Sequence, residues 1–234
     1  MSQNDINYNT TKEATFTPPT WERQKFLVLF FALINIATPL LFVIAFIVNG
    51  LLRPGYSPIR QPISDLELGP LGWTQNLTFV ICGLFFIIAN VGIYQTLYPM
   101  LGKIRSQISL VLMILSGCGL VLGGIFTEGV SGHPVLWHDF LHILGFHLLF
   151  DLLSIALFVI GSGLLKEVRW RSFGWYSLAT GLLTVLQIFG PYFYNHGRWT
   201  APIGGLLQRS MEIEAFLWYV VLGVMQLKRI RRNR

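Results

Sequence analysis

The residues best suited to chemistry gather between Phe126 and Asp151, in the stretch FTEGVSGHPVLWHDFLHILGFHLLFD. Four of the five histidines lie there, together with Glu128, Asp139 and Asp151. The stretch joins two long apolar runs, and ionisable groups inside or beside membrane-spanning helices are costly enough to mark function by default. On a helical wheel His138, Asp139 and His142 share one broad face. His147, Asp151 and Ser154 fall about half a turn away and form a second face. Asp151 lies about 20 Å along the axis from His138, toward the bilayer interior.

His138 and His142 are four residues apart, which lets two imidazoles converge on one metal. Glu128, Asp139, Asp65, Glu212 or His196 could complete the shell from nearby helix ends. Zinc with an open water position would suit hydrolysis, because the ion lowers the pKa of bound water toward about 7. In that scheme Asp65 or Glu128 takes the proton from the water, and Asp139 works beside the two histidines. The spacing lacks the Glu of a HExxH motif, so two other readings stay open. The histidines could hydrogen-bond carboxylates and headgroups at the interface, or they could form a metal-free acid–base site. His147 and Asp151 could exchange protons during transport, or clamp helices together with Asn35, Asn90, Ser154 or Gln187. Arg60, Arg198 and Arg209 could hold an anionic lipid headgroup, or balance the acidic groups predicted on the same side.

Other chemistries find no support. A P-loop, a dinucleotide fingerprint, a GxSxG elbow and a paired-cysteine metal motif are all missing, which disfavours a serine lipase. Cys82 and Cys118 each sit within an apolar run and read as buried thiols. The net charge of +6 sits mostly beside apolar segments, so it points to orientation in a membrane rather than to nucleic acid.

The elements that must position these groups are membrane helices. Of the 234 residues 53% are hydrophobic and 12% charged, about half the charged share of a soluble domain. Runs of roughly 20 apolar residues follow one another, and the pattern predicts an all-α bundle of six transmembrane helices. The expected spans are 26–48, 74–97, 107–126, 138–162, 173–194 and 208–228, within a transmembrane domain over 21–229. Residues 1–20 read as a polar disordered tail without the pattern of a cleaved signal peptide, so the first helix should remain as an anchor. Residues 230–234 read as a basic tail. The prolines at 54, 58, 62 and 70 keep the long first connection out of regular helix. Small residues in SGCGLVLGG, at 116–124, suit close helix packing. The excess of Lys and Arg places both termini in the cytoplasm and the His/Asp/Glu site toward the outer leaflet.

Several stretches resemble the DUF998 family of integral membrane proteins. Tyr56-Ser57-Pro58-Ile59-Arg60 leads into Ile63-Ser64-Asp65-Leu66. Gly123-Gly124-Ile125-Phe126 closes the third run, His138 or His142 opens the next, and Gly205-Leu206-Leu207-Gln208-Arg209 comes late. Where family members often carry Asp soon after the Gly-Ile-Phe stretch, this chain has Thr127-Glu128. The resemblance implies a membrane bundle and no particular reaction. A looser likeness to membrane hydrolases related to alkaline ceramidase comes from Ser, Asp and His near helix ends, without the ordered histidine pattern of those enzymes. The expected function is therefore a membrane protein handling lipids or other amphiphiles, with a metal-dependent hydrolase as its enzymatic form. Its rivals are a proton-coupled transporter or sensor, and an accessory protein that associates with itself or with another membrane protein.

Overall fold

The computed structural model describes residues 20–129, 136–194 and 202–232. They form helices α1 (Thr20–Leu52), α2 (Gly72–Ile125), α3 (Leu136–Leu164), α4 (Arg171–Tyr194) and α5 (Gly204–Arg232), with a short 3-10 helix at Ser64–Leu68. All five α-helices contain a segment long and apolar enough to cross a membrane. The expectation of six transmembrane helices is thus corrected to five. The runs expected separately at 74–97 and 107–126 belong to one element of 54 residues.

The physical reason lies at Gly102, which leaves helical geometry with φ 72° and ψ 175°. Such a backbone conformation is open essentially to glycine alone. Helical turns resume at once on either side, so Lys103 and Arg105 sit on helix rather than in a loop. The two limbs then lie against one another. Gly83 meets Gly117 and Val121, Gly124 meets Asn76 and Phe79, and Asn90 Nδ2 donates to Met113 O at 2.7 Å. Both ends of α2 therefore share one end of the bundle, beside the C-terminus of α1 and the N-termini of α3 and α5.

Packing follows the rule for helices in lipid, where close approach and polar bridges replace a hydrophobic driving force. Gly119 faces Gly145 across α2 and α3, and a Cβ on Gly119 would stand 2.5 Å from the carbonyl oxygen of Gly145. Ser116 Oγ bridges the same pair of helices by donating to Leu149 O at 2.8 Å. Aromatic rings fill the centre. Phe42 of α1 stacks on Phe79 of α2 at 5.5 Å, and Phe216 of α5 meets Phe42 at 5.1 Å and Phe86 at 4.7 Å. Trp218 Nε1 reaches Ser177 Oγ on α4 at 2.9 Å. Asn35 finds its partner across the bundle, donating to Gln226 Oε1 at 3.1 Å, and Pro39 lies within the continuous α1.

The glycine contacts separate two otherwise similar substitutions. Gly119→Ala should destabilise the protein by about 1–3 kcal/mol through overpacking. Gly123→Ala should be close to neutral, because its Cβ would meet Phe79 at 3.7 Å. Denaturant titration of the two variants in the same micelles checks the difference.

Candidate functional site

The site is built at the end of the bundle where α1 stops, α2 begins and ends, and α3 and α5 start. Prolines keep residues 53–63 out of helix, which leaves carbonyl oxygens in need of donors. Arg209 of α5 supplies them. Its Nη1 donates to Pro58 O at 2.7 Å, to Gln61 O at 2.9 Å and to Gly205 O at 2.9 Å, and its Nη2 donates to the Tyr56 hydroxyl. The guanidinium also lies over the rings of Phe46 and Tyr56, at 5.6 and 5.4 Å. The Tyr56 hydroxyl in turn donates to Pro62 O at 2.8 Å, and burial raises its pKa against the opposing effect of Arg209. Gln208 Oε1 accepts the backbone N–H of Ile63 at 2.6 Å. These bonds pin the loop over α5.

The pinned loop delivers the 3-10 turn. At three residues per turn, positions i and i+3 eclipse, so Ser64 and Glu67 both face inward and are buried. Asp65 faces elsewhere: Gln61 Nε2 donates to its Oδ2 at 3.2 Å, and Arg53 donates to its backbone oxygen. Close packing of the turn requires Gly72, where a Cβ would stand 1.8 Å from Glu67 O.

Glu67 is the distinctive group. Its side chain has no exposed surface, and neither carboxyl oxygen has a hydrogen-bond partner among the described residues. Burial raises its pKa first and the Glu128 charge adds to the effect, against a lowering by the Glu128 backbone N–H. The result is a carboxyl pushed up to about 9, against an ordinary 4.5. Around it stand His142, whose Nδ1 is 3.7 Å from Glu67 Oε2, and Glu128, whose Oε2 accepts from Ser64 Oγ at 3.1 Å. His142 Nδ1 lies 2.8 Å from Phe126 O. A carbonyl can only accept, so Nδ1 carries the proton and Nε2 is the basic nitrogen.

The remaining expected residues divide between this group and its surroundings. Asp139 Oδ1 accepts the backbone N–H of Gly129 and ties the end of the α2 segment to the first turn of α3. His138 packs its ring against Phe126 and Trp137, with centroids 5.5 and 3.7 Å away. Among the described residues no group of three or more His, Cys, Asp and Glu is arranged to hold a metal ion. Arg60 is exposed at this end. Arg198 and His196 lie outside the described residues. His147 Nδ1 and Asp151 Oδ2 are 3.1 Å apart, with side chains 48% and 35% exposed, on the outward side of α3. The groups expected to clamp that pair bond elsewhere. Asn35 reaches Gln226, Asn90 reaches Met113 O, Ser154 reaches Phe150 O, and Gln187 accepts from Ser210.

The inward face shared by Ser64 and Glu67 is not evident from the sequence, which points instead to Asp65. The available signal was the i,i+3 spacing of two polar residues in a segment bracketed by prolines.

Glu67 makes stability depend on pH in a defined direction. Between pH 4.5 and about 9 the folded protein keeps a proton that the unfolded chain has released, so this contribution falls as pH rises through the window and is level on either side. Glu67→Gln should remove that part of the slope. Thermal unfolding of both proteins in micelles from pH 4 to 9.5 measures the difference.

No curated protein and no solved structure matches the chain. A family profile described as "Protein of unknown function (DUF998)" matches residues 36–225. The matched region runs from within α1 to within α5 and includes the pinned loop, Glu67, Glu128 and His142. The chain is a multi-pass membrane protein, and it belongs to the DUF998 family.

Proposed function

We propose that the protein is a membrane-embedded hydrolase of lipid-like substrates, with its chemistry at the Ser64/Glu67/Glu128/His142 end of the bundle. The observation that carries the reading is the Glu67 carboxyl. It is fully enclosed, with only the Glu128 backbone N–H near enough to favour its charged form and no formed hydrogen bond among the described residues, and it stands beside an imidazole and a second carboxylate. Buried unpaired carboxyls are costly, and pKa values shifted by burial cluster at functional sites.

In this reading His142 Nε2 takes a proton from water as the water adds to a carbonyl carbon, and the Glu128 carboxylate stabilises the imidazolium that forms. Ser64 fixes Glu128 by its hydrogen bond. The imidazolium then returns that proton to the leaving group, which departs as the carbon–oxygen or carbon–nitrogen bond breaks, while the enclosed Glu67, protonated at neutral pH, adds no negative charge on the Nδ1 side of the ring. Leu136, Trp137 and Phe140 are exposed on the first turns of α3 beside His142 and offer an apolar surface for an acyl chain. Arg60 offers a cation at the same end. In a zinc form His138 and His142 would hold the ion, which would supply an activated water, although no group among the described residues is arranged for it.

Charge distribution supports an outward-facing site. The opposite end carries Arg23, Lys25, Lys103, Arg105, Lys166, Arg169, Arg171, Lys228, Arg229, Arg231 and Arg232, whereas the site end carries Arg53, Arg60 and Arg209 among the described residues. The positive-inside rule assigns the richer end to the cytoplasm.

Protein in nanodiscs, purified without chelator, should turn over members of a panel of lipid esters and amides. His142→Ala and Glu128→Gln should each lower the rate by about 100-fold or more, with the helical signal preserved. Elemental analysis of the same samples, with the His138→Ala/His142→Ala double variant, separates the two forms: about one zinc per chain, lost in the variant, supports the metal form. Wild-type protein without turnover on the panel, or a His142→Ala variant with undiminished turnover, overturns the hydrolase reading.

A further inference from the structure

At the end opposite the site, α1, α2 and α5 part around a cavity of about 800 Å³. Its apolar wall includes Val28 and Phe31 of α1, and Lys25 and Arg229 bring two cations to the place where α1 begins and α5 ends. The floor includes Thr96 and Gln226. These two satisfy one another inside the fold: Gln226 Nε2 donates to Thr96 Oγ1 at 2.8 Å, Gln226 Oε1 accepts from Asn35, and Thr96 Oγ1 donates to Gly92 O at 2.8 Å. Thr96 and Gln226 thus make no demand for a polar ligand group, and recognition falls to the two cations, the amides of Gln24 and Gln95 and the apolar wall.

We propose that this cavity binds an anionic phospholipid, with the phosphate between Lys25 and Arg229 and an acyl chain along Val28 and Phe31. Three observations fit that occupant. The volume lies in the range of about 300–1,000 Å³ found for small-molecule sites. The walls belong to helices long and apolar enough to cross a membrane, so the cavity opens at the level where headgroups meet acyl chains. Finally, the mouth lies at the end with eleven of the described Lys and Arg, and basic pockets between spanning helices suit acidic headgroups. The inference is independent of the hydrolase reading, because it concerns the other end of the bundle and its test reads no turnover.

The test uses the full chain in neutral micelles, titrated with phosphatidylglycerol, phosphatidylcholine or glycerol 3-phosphate. Native mass spectrometry reads retention and thermal unfolding reads stabilisation. Phosphatidylglycerol should be retained and should raise Tm, while phosphatidylcholine and glycerol 3-phosphate should do neither. Lys25→Glu/Arg229→Glu should weaken retention by about tenfold or more. Val28→Trp, which keeps both charges and fills the wall, should weaken it as well. Lys228→Glu/Arg231→Glu changes two exposed cations that do not line the cavity and should leave retention as in the wild type. Equal retention of phosphatidylcholine, or undiminished binding by Val28→Trp, overturns the proposal in favour of general adsorption to a basic surface. Stabilisation by glycerol 3-phosphate alone assigns the cavity to a free phosphate and also overturns it. So does a change in oligomeric state on Lys25→Glu/Arg229→Glu, which assigns the mouth to a second copy of the chain.

Discussion

The fold at the candidate site depends on one buried cation. Arg209 is 8% exposed and sits in the first turns of α5. A charge in that position is tolerated only when it is paired or fully hydrogen-bonded. The chain meets the requirement with carbonyl oxygens from a loop whose prolines stop it from satisfying those oxygens by helix formation. Loop and guanidinium thereby resolve each other's deficit, and the planar fork of donors reaches Pro58 and Gln61 at once. Lysine could not reproduce this geometry, because its ammonium is a compact donor without a rigid fork. Everything downstream follows from the pinning. It sets the height of the Ser64–Leu68 turn, the turn carries Glu67 inward, and Glu67 meets the groups brought by the end of α2 and the start of α3.

Away from that loop the bundle is held by contacts that retain their value in lipid. Apolar side chains gain little by moving from acyl chains to a protein interior, so specificity rests on close backbone approach and on polar groups that have no water to return to. Gly119 against Gly145 supplies the first, and the Asn35–Gln226–Thr96 chain across α1, α5 and α2 supplies the second. The glycine-rich stretch read from the sequence as a packing element is used within the chain. The His147–Asp151 pair is the exception to this economy. It sits on an outward face with Leu144, Ile143 and Ile155, and an intrahelical bond at i,i+4 satisfies Asp151 Oδ2 but leaves Oδ1 without a partner among the described residues.

How much of this could be read from the chain follows from the physics involved. Apolar runs and their polar interruptions are local, so the all-α character and membrane-spanning segments were legible. The count of six was not, because the break between two runs is a single glycine with helix on both sides, and composition cannot distinguish such a bend from a loop. His142 and Glu128 were legible as ionisable groups at a helix junction. Glu67 was not singled out, because its importance depends on 3-10 rather than α geometry in a segment without apolar periodicity. From the sequence Arg209 reads as a cation for a headgroup or as a balance to the acidic groups on its side. Its donors to Pro58 and Gln61 involve backbone oxygens about 150 residues away, which no side-chain pattern reveals.

The two ends of the bundle pose opposite electrostatic problems, and the chain solves them differently. The site end holds Asp65, Glu67, Glu128, Asp139, Glu212 and Glu214 against three described cations, one of them enclosed by Arg209's own hydrogen bonds. Burial and the neighbouring Glu128 charge favour the protonated form of Glu67, since an added negative charge makes ionisation beside it harder. That is the condition under which a carboxyl can keep its proton at neutral pH, and Glu67, flanked by Glu128, meets it. The other end holds eleven described cations with Glu22 and Glu167 as its described acids. Its excess charge lies close to solvent, where hydration and counter-ions keep it cheap. The same bundle thus stores a neutral proton at one end and a strong positive field at the other, separated by the length of its helices.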